Sequence, residues 1–465
     1  MTDQPGDWHR LHPLSPLVRS GRAAVGVLAI VAISASGQFG PDGSHLYDWA
    51  LAVLVVIGAV VNWLVTRWKL DGATLRIETG LLRRDSRQLP VARIQAVDVV
   101  RPFLARALGL AELRVRLAGS GHADGRLAYL PEQAALDLRA RLLAAHHGLD
   151  PATPEPGERI LASVPNGRLV GSVAASPASL LAALLVAEVV VMVVSPQVLA
   201  AAGGTFVVFL ITLAPMVWRR IATEYGFTIA QSPDGIRIRR GLIGTVAETI
   251  PLRRVQAVRM VEPVLWRPLG WCRLEIDVAG SPGRDRADGS GRMRKTLLPV
   301  GHREPAWELM RLVIGAGPPP LSRPPRRARR KAPLSYHFLA AGHDAITAMG
   351  VTGRLRKVTT WVPLEKVQSV RMVTGPVQRT LSLATVHVDA AGRRVRAEFR
   401  DRPAKEAAQL VEDLAALSRS ARRRAPEHGV PLAPVIPAQA SATPSPAPRE
   451  APPSEDPLRQ PGQRR

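Results

Sequence analysis

Residues 80–110 read GLLRRDSRQLPVARIQAVDVVRPFLARALGL. Residues 241–271 read GLIGTVAETIPLRRVQAVRMVEPVLWRPLGW and residues 353–383 read GRLRKVTTWVPLEKVQSVRMVTGPVQRTLSL, so one phrase recurs at offsets of 161 and 273 residues from its first copy. Gly80, Pro90, Gln95, Arg106 and Gly119 have counterparts in Gly241, Pro251, Gln256, Arg267 and Gly280, and again in Gly353, Pro363, Gln368, Arg379 and Gly392. Gly109 is matched by Gly270 and then by Ser382. Self-similarity on this scale marks a duplicated module, and any functional reading has to explain three of them in one chain.

Outward from that phrase, Leu75 and Ile77 in the first copy, and Ile236 and Ile238 in the second, have the period of two of a strand; Arg237 and Arg239 fall on its wet face. A second strand follows the glycine, then the core opened by Pro90, a short turn over 102–109, and a further strand through Leu113, Val115 and Leu117. Each copy closes on apolar residues at helical spacing behind a proline, in Pro131–His147, Pro305–Ile314 and Pro403–Leu417. Short strands with turn signals and one terminal helix predict an α+β fold: three antiparallel-sheet modules, each capped by a C-terminal helix.

The net charge of +24, carried almost wholly by Arg, calls for an acidic partner or surface, and DNA, RNA and anionic lipid all qualify. Four apolar stretches choose among them: Ala23–Gly40, Trp49–Thr66, Ala178–Val194 and Val198–Trp218, each about the length of a helix crossing a hydrocarbon core of about 30 Å. They predict four transmembrane helices in two hairpins. Arg19, Arg22, Arg67, Lys69, Arg168, Arg219 and Arg220 flank the pairs, whereas the loops within them hold no Lys or Arg; this bias predicts a multi-pass protein of the cell membrane with both termini cytoplasmic. The single cysteine, Cys272, rules out an intrachain disulfide framework.

The resulting layout is a cytoplasmic N-terminal tail (1–16), hairpin one (17–68), module one (69–148), a linker (149–176), hairpin two (177–219), module two (220–315), a Pro/Arg linker (316–334), module three (335–420) and a tail (421–465) rich in Pro, Ala and Ser and expected to be disordered. The glycine before each strand, the Pro-x-x-[Arg/Lys]-[Ile/Val]-Gln-x-Val core, the Arg106-x-Leu-Gly turn and the closing Ala-Gly together resemble the bacterial pleckstrin-homology (PH) family of YdbS- and YdbT-like membrane proteins. That resemblance implies PH-like modules, split seven-stranded sheets each capped by a helix, presented at the inner membrane face. It also implies a small YdbS-like membrane protein as partner, and no shared catalytic residues or cofactor. The third copy departs from the pattern at Thr374-Gly375-Pro376 and at Ser382.

Candidate partner-binding or lipid-binding residues form a basic rim: Arg83, Arg84, Arg87 and Arg93; Arg237, Arg239, Arg240, Arg253 and Arg254; Arg354, Arg356, Lys357 and Lys366. Beside anionic lipid each such charge contributes about 1 kcal/mol, although a solvated face is the commoner meaning of such a rim. Gln95, Gln256 and Gln368 share strand parity with apolar neighbours, which predicts a buried amide tying two strands. Arg106, Arg267 and Arg379 suit bridging of turn carbonyls, or a phosphate. Glu188, alone in the third apolar stretch, reads as a helix–helix contact or, less simply, as part of a transporter or channel. No nucleophile–base arrangement, phosphate loop or metal-ligand spacing is present, and the basic segment 323–331 lacks the interleaved aromatics of a nucleic-acid site. The expectation is therefore a non-catalytic, cofactor-free binding or scaffold platform, with anionic-lipid headgroup sensing as the alternative.

Overall fold

The computed structural model describes residues 8–16, 18, 54, 57–58, 60–61, 63–71, 74–80, 84–117, 125–146, 158–176, 187, 212, 214–279, 295–390 and 396–424. In chain order the first module holds β1 (His9–Arg10), β2 (Arg67–Asp71), β3 (Thr74–Thr79), β4 (Asp85–Pro90), β5 (Ile94–Arg101), α1 (Phe103–Ala107), β6 (Leu110–Leu117), β7 (Gly125–Pro131) and α2 (Glu132–His146). The second holds β8 (Arg159–Ser163), α3 (Asn166–Ala174), β9 (Thr228–Ser232), β10 (Gly235–Arg240), β11 (Thr245–Ile250), β12 (Val255–Pro263), β13 (Trp271–Val278), β14 (Lys295–His302) and α4 (Arg303–Ile314). A short α5 (Ala328–Lys331) leads into β15 (Ala340–His343), β16 (Thr347–Thr352), β17 (Arg356–Pro363), β18 (Val367–Val373), α6 (Pro376–Thr380), β19 (Leu383–Ala390), β20 (Arg396–Pro403) and α7 (Ala404–Arg424).

All the described strand pairs are antiparallel, and the proline that ends β4 and β17 and directly follows β11 explains how each module splits in two. Pro90, Pro251 and Pro363 each cap a single 3₁₀ turn, which swings the chain from a first half-sheet into a second. A proline cannot donate to a ladder, so it stands where a strand must stop. The half-sheets then combine across module boundaries. The strand orders are β1-β2-β3-β4, β7-β6-β5-β11-β10-β9-β8, β14-β13-β12-β17-β16-β15 and β18-β19-β20. The second half of module one thus shares a sheet with the first half of module two, and the second half of module two with the first half of module three.

The cores follow the same plan. Leu75, Ile77 and Leu89 pack with Val97, Leu113 and Leu142 in the first module. The second core, built on Phe227, Ile238, Val258 and Leu274, takes in Met349 and Trp361 from the third module's strands, while Ala257 of β12 enters the third core beside Val362 and Phe399. Within residues 149–176, β8 and α3 join the second module. The Pro/Arg stretch 316–334 is docked: Ser322 bridges Ala341, and Arg402 donates to the Ser322 and Ala341 carbonyls at 2.8 and 2.9 Å.

The expectation of four transmembrane helices is corrected. Among the described residues no helix is long and apolar enough to cross a membrane. Crossing needs a continuous apolar helix of about 20 residues. Helix α7 has 21 residues but ends in Arg422, Arg423 and Arg424 and lies against the third core. Residues 23–40 and 178–194, apart from Ala187, lie outside the described residues, as do half of 49–66 and all of 198–211, and Glu188 is among them. Among the described residues the fold is therefore α+β, antiparallel sheets with capping helices, with no membrane-crossing hairpin.

Candidate functional site

The chemistry of the repeat phrase concentrates where one module meets the next. At the first junction β5 pairs with β11, with Val99 opposite Ala247, Val100 opposite Val246 and Arg101 opposite Thr245. At the second, β12 pairs with β17, with Met260 opposite Thr359, Val261 opposite Val358 and Glu262 opposite Lys357. The repeat offsets carry the first set of pairs onto the second, so both junctions use one register. Because side chains alternate across a strand, a slip of one residue would exchange the faces of every side chain in the seam.

The recurring turn arginine locks this register. Arg106 donates from Nη1 to the carbonyl oxygen of Leu242 at 2.9 Å, just past Gly241. Arg267, its counterpart, donates to the carbonyl oxygen of Arg354, just past Gly353, and to that of Glu262 at 3.3 Å. Of the two readings of this arginine, the carbonyl bridge is the one seen, and it crosses a module boundary. The glycines are required there: Gly241 and Gly353 have φ of 116° and 91°, and a Cβ would stand 2.0 Å from the Gly244 oxygen or 2.1 Å from that of Arg356.

Charge networks flank both seams. In the first, buried Asp98 accepts from the Thr249 backbone N–H at 3.2 Å and pairs with Arg116 at 2.5 Å; Arg116 also reaches Glu248 on β11 at 2.9 Å, which in turn holds Lys295. Burial pushes Asp98 up to about 6, partly offset by Arg116. Burial pushes Glu248 in the same direction, but Lys295 and Arg116 outweigh it and hold that carboxyl at about 2. At the end of each seam strand a pair ties strand to capping helix with its charges exchanged: Arg101 with Glu132 in the first junction, Glu262 with Arg303 in the second. Glu262 also meets Lys357 of the incoming strand at 3.0 Å.

The third copy has the apparatus of a junction, and among the described residues no strand joins it. Its β18 pairs only with β19, and Gln368, Ser369, Arg371, Met372 and Val373 are exposed where their counterparts on β12 are largely buried. Arg379 is exposed, and its guanidinium has no hydrogen bond or ion pair among the described residues. The strand-end position is Thr374 and the capping helix opens on Ala404, so neither residue can supply the charge pair of the other two junctions. Ser382 keeps the shape of the glycine turn: its φ is 50°, beside 67° at Gly109 and 64° at Gly270.

The three glutamines stand at one irregularity. Ile94 faces Leu117 but Ala96 faces Arg116; Val255 faces Val278 but Ala257 faces Asp277; Val367 faces Ala390 but Ser369 faces Asp389. In each ladder the extra residue is the glutamine, a β-bulge. Parity counted through a bulge fails, and the outcomes diverge. Gln256 is buried and donates to the Arg254 carbonyl oxygen at 3.3 Å, Gln368 is exposed, and the side chain of Gln95 lies outside those described.

Much of the basic rim is occupied internally. Arg237, buried, and Arg239 both pair with Glu158; Arg87 pairs with Asp85, Arg356 with Glu275 and Lys366 with Glu365; Arg254 donates to the Ala279 carbonyl oxygen. Among the described residues Arg84, Arg93, Arg240, Arg253 and Arg354 have no acidic partner, and Arg83 lies outside them. A cavity of about 320 Å³ in the third module is lined by Lys331, Gln378, His387, Glu398, Arg400 and Asp401. Its charges largely answer one another, Lys331 and Gln378 on Asp401 at 2.6 and 2.5 Å and Arg400 on Glu398 at 2.6 Å, so it serves the third module's own packing. The signal that sequence reading missed was the coincidence of arginine, glycine and seam strand.

Comparison with known proteins agrees with this architecture. The UPF0699 transmembrane protein YdbT of Bacillus subtilis (strain 168) is 21% identical over 346 residues, which is 65% of this chain and 68% of that protein. The sequence model of the Bacterial PH domain matches residues 21–146, 170–310 and 344–418, one stretch for each copy of the repeat phrase. With three matches across most of its length, and three split antiparallel modules built on one plan, the chain belongs to the bacterial PH domain family.

Proposed function

We propose that this protein is a non-catalytic, membrane-associated scaffold whose three bacterial PH modules act as one array on the cytoplasmic face. The observation that carries this reading is the sharing of sheets and core residues across both module boundaries. Modules joined in this way hold a fixed spacing of surfaces, which a scaffold needs and independent ligand binders do not. Membrane association is supported by the name of the Bacillus subtilis relative and by a charge of +24, suited to the anionic inner leaflet. Headgroup sensing is the second reading. It draws support from Arg84, Arg93, Arg240, Arg253 and Arg354, but these are divided among the three modules, and the denser Arg237–Arg239 cluster is taken up by Glu158.

The test is fractionation of the full chain, followed by chemical crosslinking in intact membranes and flotation with neutral and anionic liposomes. Recovery with membranes and discrete protein adducts is the expected result; recovery in the soluble fraction overturns membrane association. Flotation with anionic vesicles alone, salt-sensitive and lost on replacing the five free arginines by Ala, would put headgroup sensing first.

A further inference from the structure

From the vacant seam on the third module we infer that β18 is a docking edge for an antiparallel strand of a separate polypeptide, one that carries an acidic residue opposite Arg371 and neutral residues opposite Met372, Val373 and Thr374. This deepens the scaffold reading and rests on it, by naming the surface and the chemistry of the partner.

The edge continues an interface already formed twice in one register. β5 receives β11 and β12 receives β17, whereas β18 has the same position in its module and, among the described residues, pairs only with β19. Its Met372 and Val373 are 47% and 42% exposed, while their counterparts Met260 and Val261 are 2% and 1% exposed under β17. Arg379 stands in the place from which Arg106 and Arg267 clamp the incoming turn, with no partner of its own. An unpaired strand edge with apolar side chains is a template for strand addition.

Register then selects the occupant. Arg259 of β12 lies opposite Thr360, so Arg371, its counterpart, which also pairs with Asp389 of β19 at 2.9 Å, lies opposite the residue that corresponds to Glu248 in β11 and to Arg87 in β4. Among the described residues the one other strand of this type left open is β4, which pairs only with β3. Supplied by a second copy of this chain, β4 would bring Arg87 against Arg371, Asp85 against Val373 and Arg84 against Thr374. Like charges directly opposed on neighbouring strands are destabilising, and charged edge residues are a common guard against pairing. A strand like β11 would bring Glu248 against Arg371, Ala247 against Met372, Val246 against Val373 and Thr245 against Thr374. The charges then oppose correctly, apolar residues meet, and neutral Thr374 meets no charge. The occupant is therefore a β11-like strand on another protein rather than the β4 of a second copy.

The experiment uses the full chain carrying Met372→Cys and synthetic peptides as probes. Cys272 is a quiet background, because burial pushes its thiol up to about 12. The probes are the peptide of residues 241–251 with Ala247→Cys, the same peptide with Val246→Cys instead, and the peptide of residues 80–90 with Ser86→Cys. Disulfide capture in a redox buffer should favour the first probe over both others by about tenfold, since strand addition reads register. It should fall when Arg371→Glu or Arg379→Ala is added, and the parent chain should remain a monomer by light scattering. Equal capture of the register-shifted probe would make the edge non-selective, equal capture of the 80–90 probe or self-association of the parent chain would make the occupant a second copy, and no capture by a variant that melts like the parent would show the edge closed. Any of these overturns the inference. The scaffold reading falls separately, on the fractionation and membrane crosslinking above.

Discussion

Arg106, Arg267 and Arg379 are one residue of the repeat in three situations, and their replacement separates local from junctional roles. Arg267→Ala removes hydrogen bonds to two carbonyl oxygens and a guanidinium placed 5.1 Å from the Phe338 ring centre, so it is expected to cost about 1–2 kcal/mol. Arg379→Ala, with no partner to lose, is expected to stay within about 0.5 kcal/mol of the parent. Urea unfolding of the two variants checks the contrast. Ser382 offers the reverse change. It holds a left-handed conformation that glycine adopts without strain, so Ser382→Gly should stabilise the third module by about 0.5–1 kcal/mol, read as a higher melting temperature.

Between elements, the first seam should respond to pH. Folded Asp98 keeps its proton up to about 6, well above its ordinary 3.8. The folded state therefore binds more protons than the unfolded chain between about pH 4 and 6, and stability falls as pH rises through that window, by at most about 3 kcal/mol. Glu248, held low, acts oppositely: its contribution is present above 4.5 and is lost as pH falls below it. In melting profiles from pH 3 to 8, Asp98→Asn should flatten the limb between pH 4 and 6 and leave the acid limb in place. These networks also mark the limit of what the sequence discloses. Strands, turns and capping helices follow from local periodicity and proline placement, and those elements were legible. The seams pair residues such as Arg101 and Thr245, 144 positions apart, which no local pattern encodes. The exchange of Arg101–Glu132 for Glu262–Arg303 hid a shared role behind opposite charges. The glutamine bulge defeated parity for the same reason, since it exists only relative to a neighbouring strand. Run length overreached in the other direction, because among the described residues no helix is long and apolar enough to cross a membrane.

Over the whole molecule, cooperativity should follow the shared sheets rather than the repeat boundaries. Trp361 lies on β17, is fully buried in the second module's core and meets Trp307 edge-on at 6.0 Å. Trp361→Ala is therefore expected to cost about 3–5 kcal/mol and to loosen modules two and three together, visible as loss of amide exchange protection on β12 as well as β17. The outward amides of β18 should exchange fast already in the parent chain. The strand exchange also bears on synthesis. When β5 leaves the ribosome, the strand that completes its sheet has not been translated; at about 5–20 residues per second, the 144 positions between Arg101 and Thr245 delay it by roughly 7–30 s. The nascent protein thus advances with a raw margin at its growing end, closed and reopened once per repeat, and among the described residues β18 keeps that same raw margin.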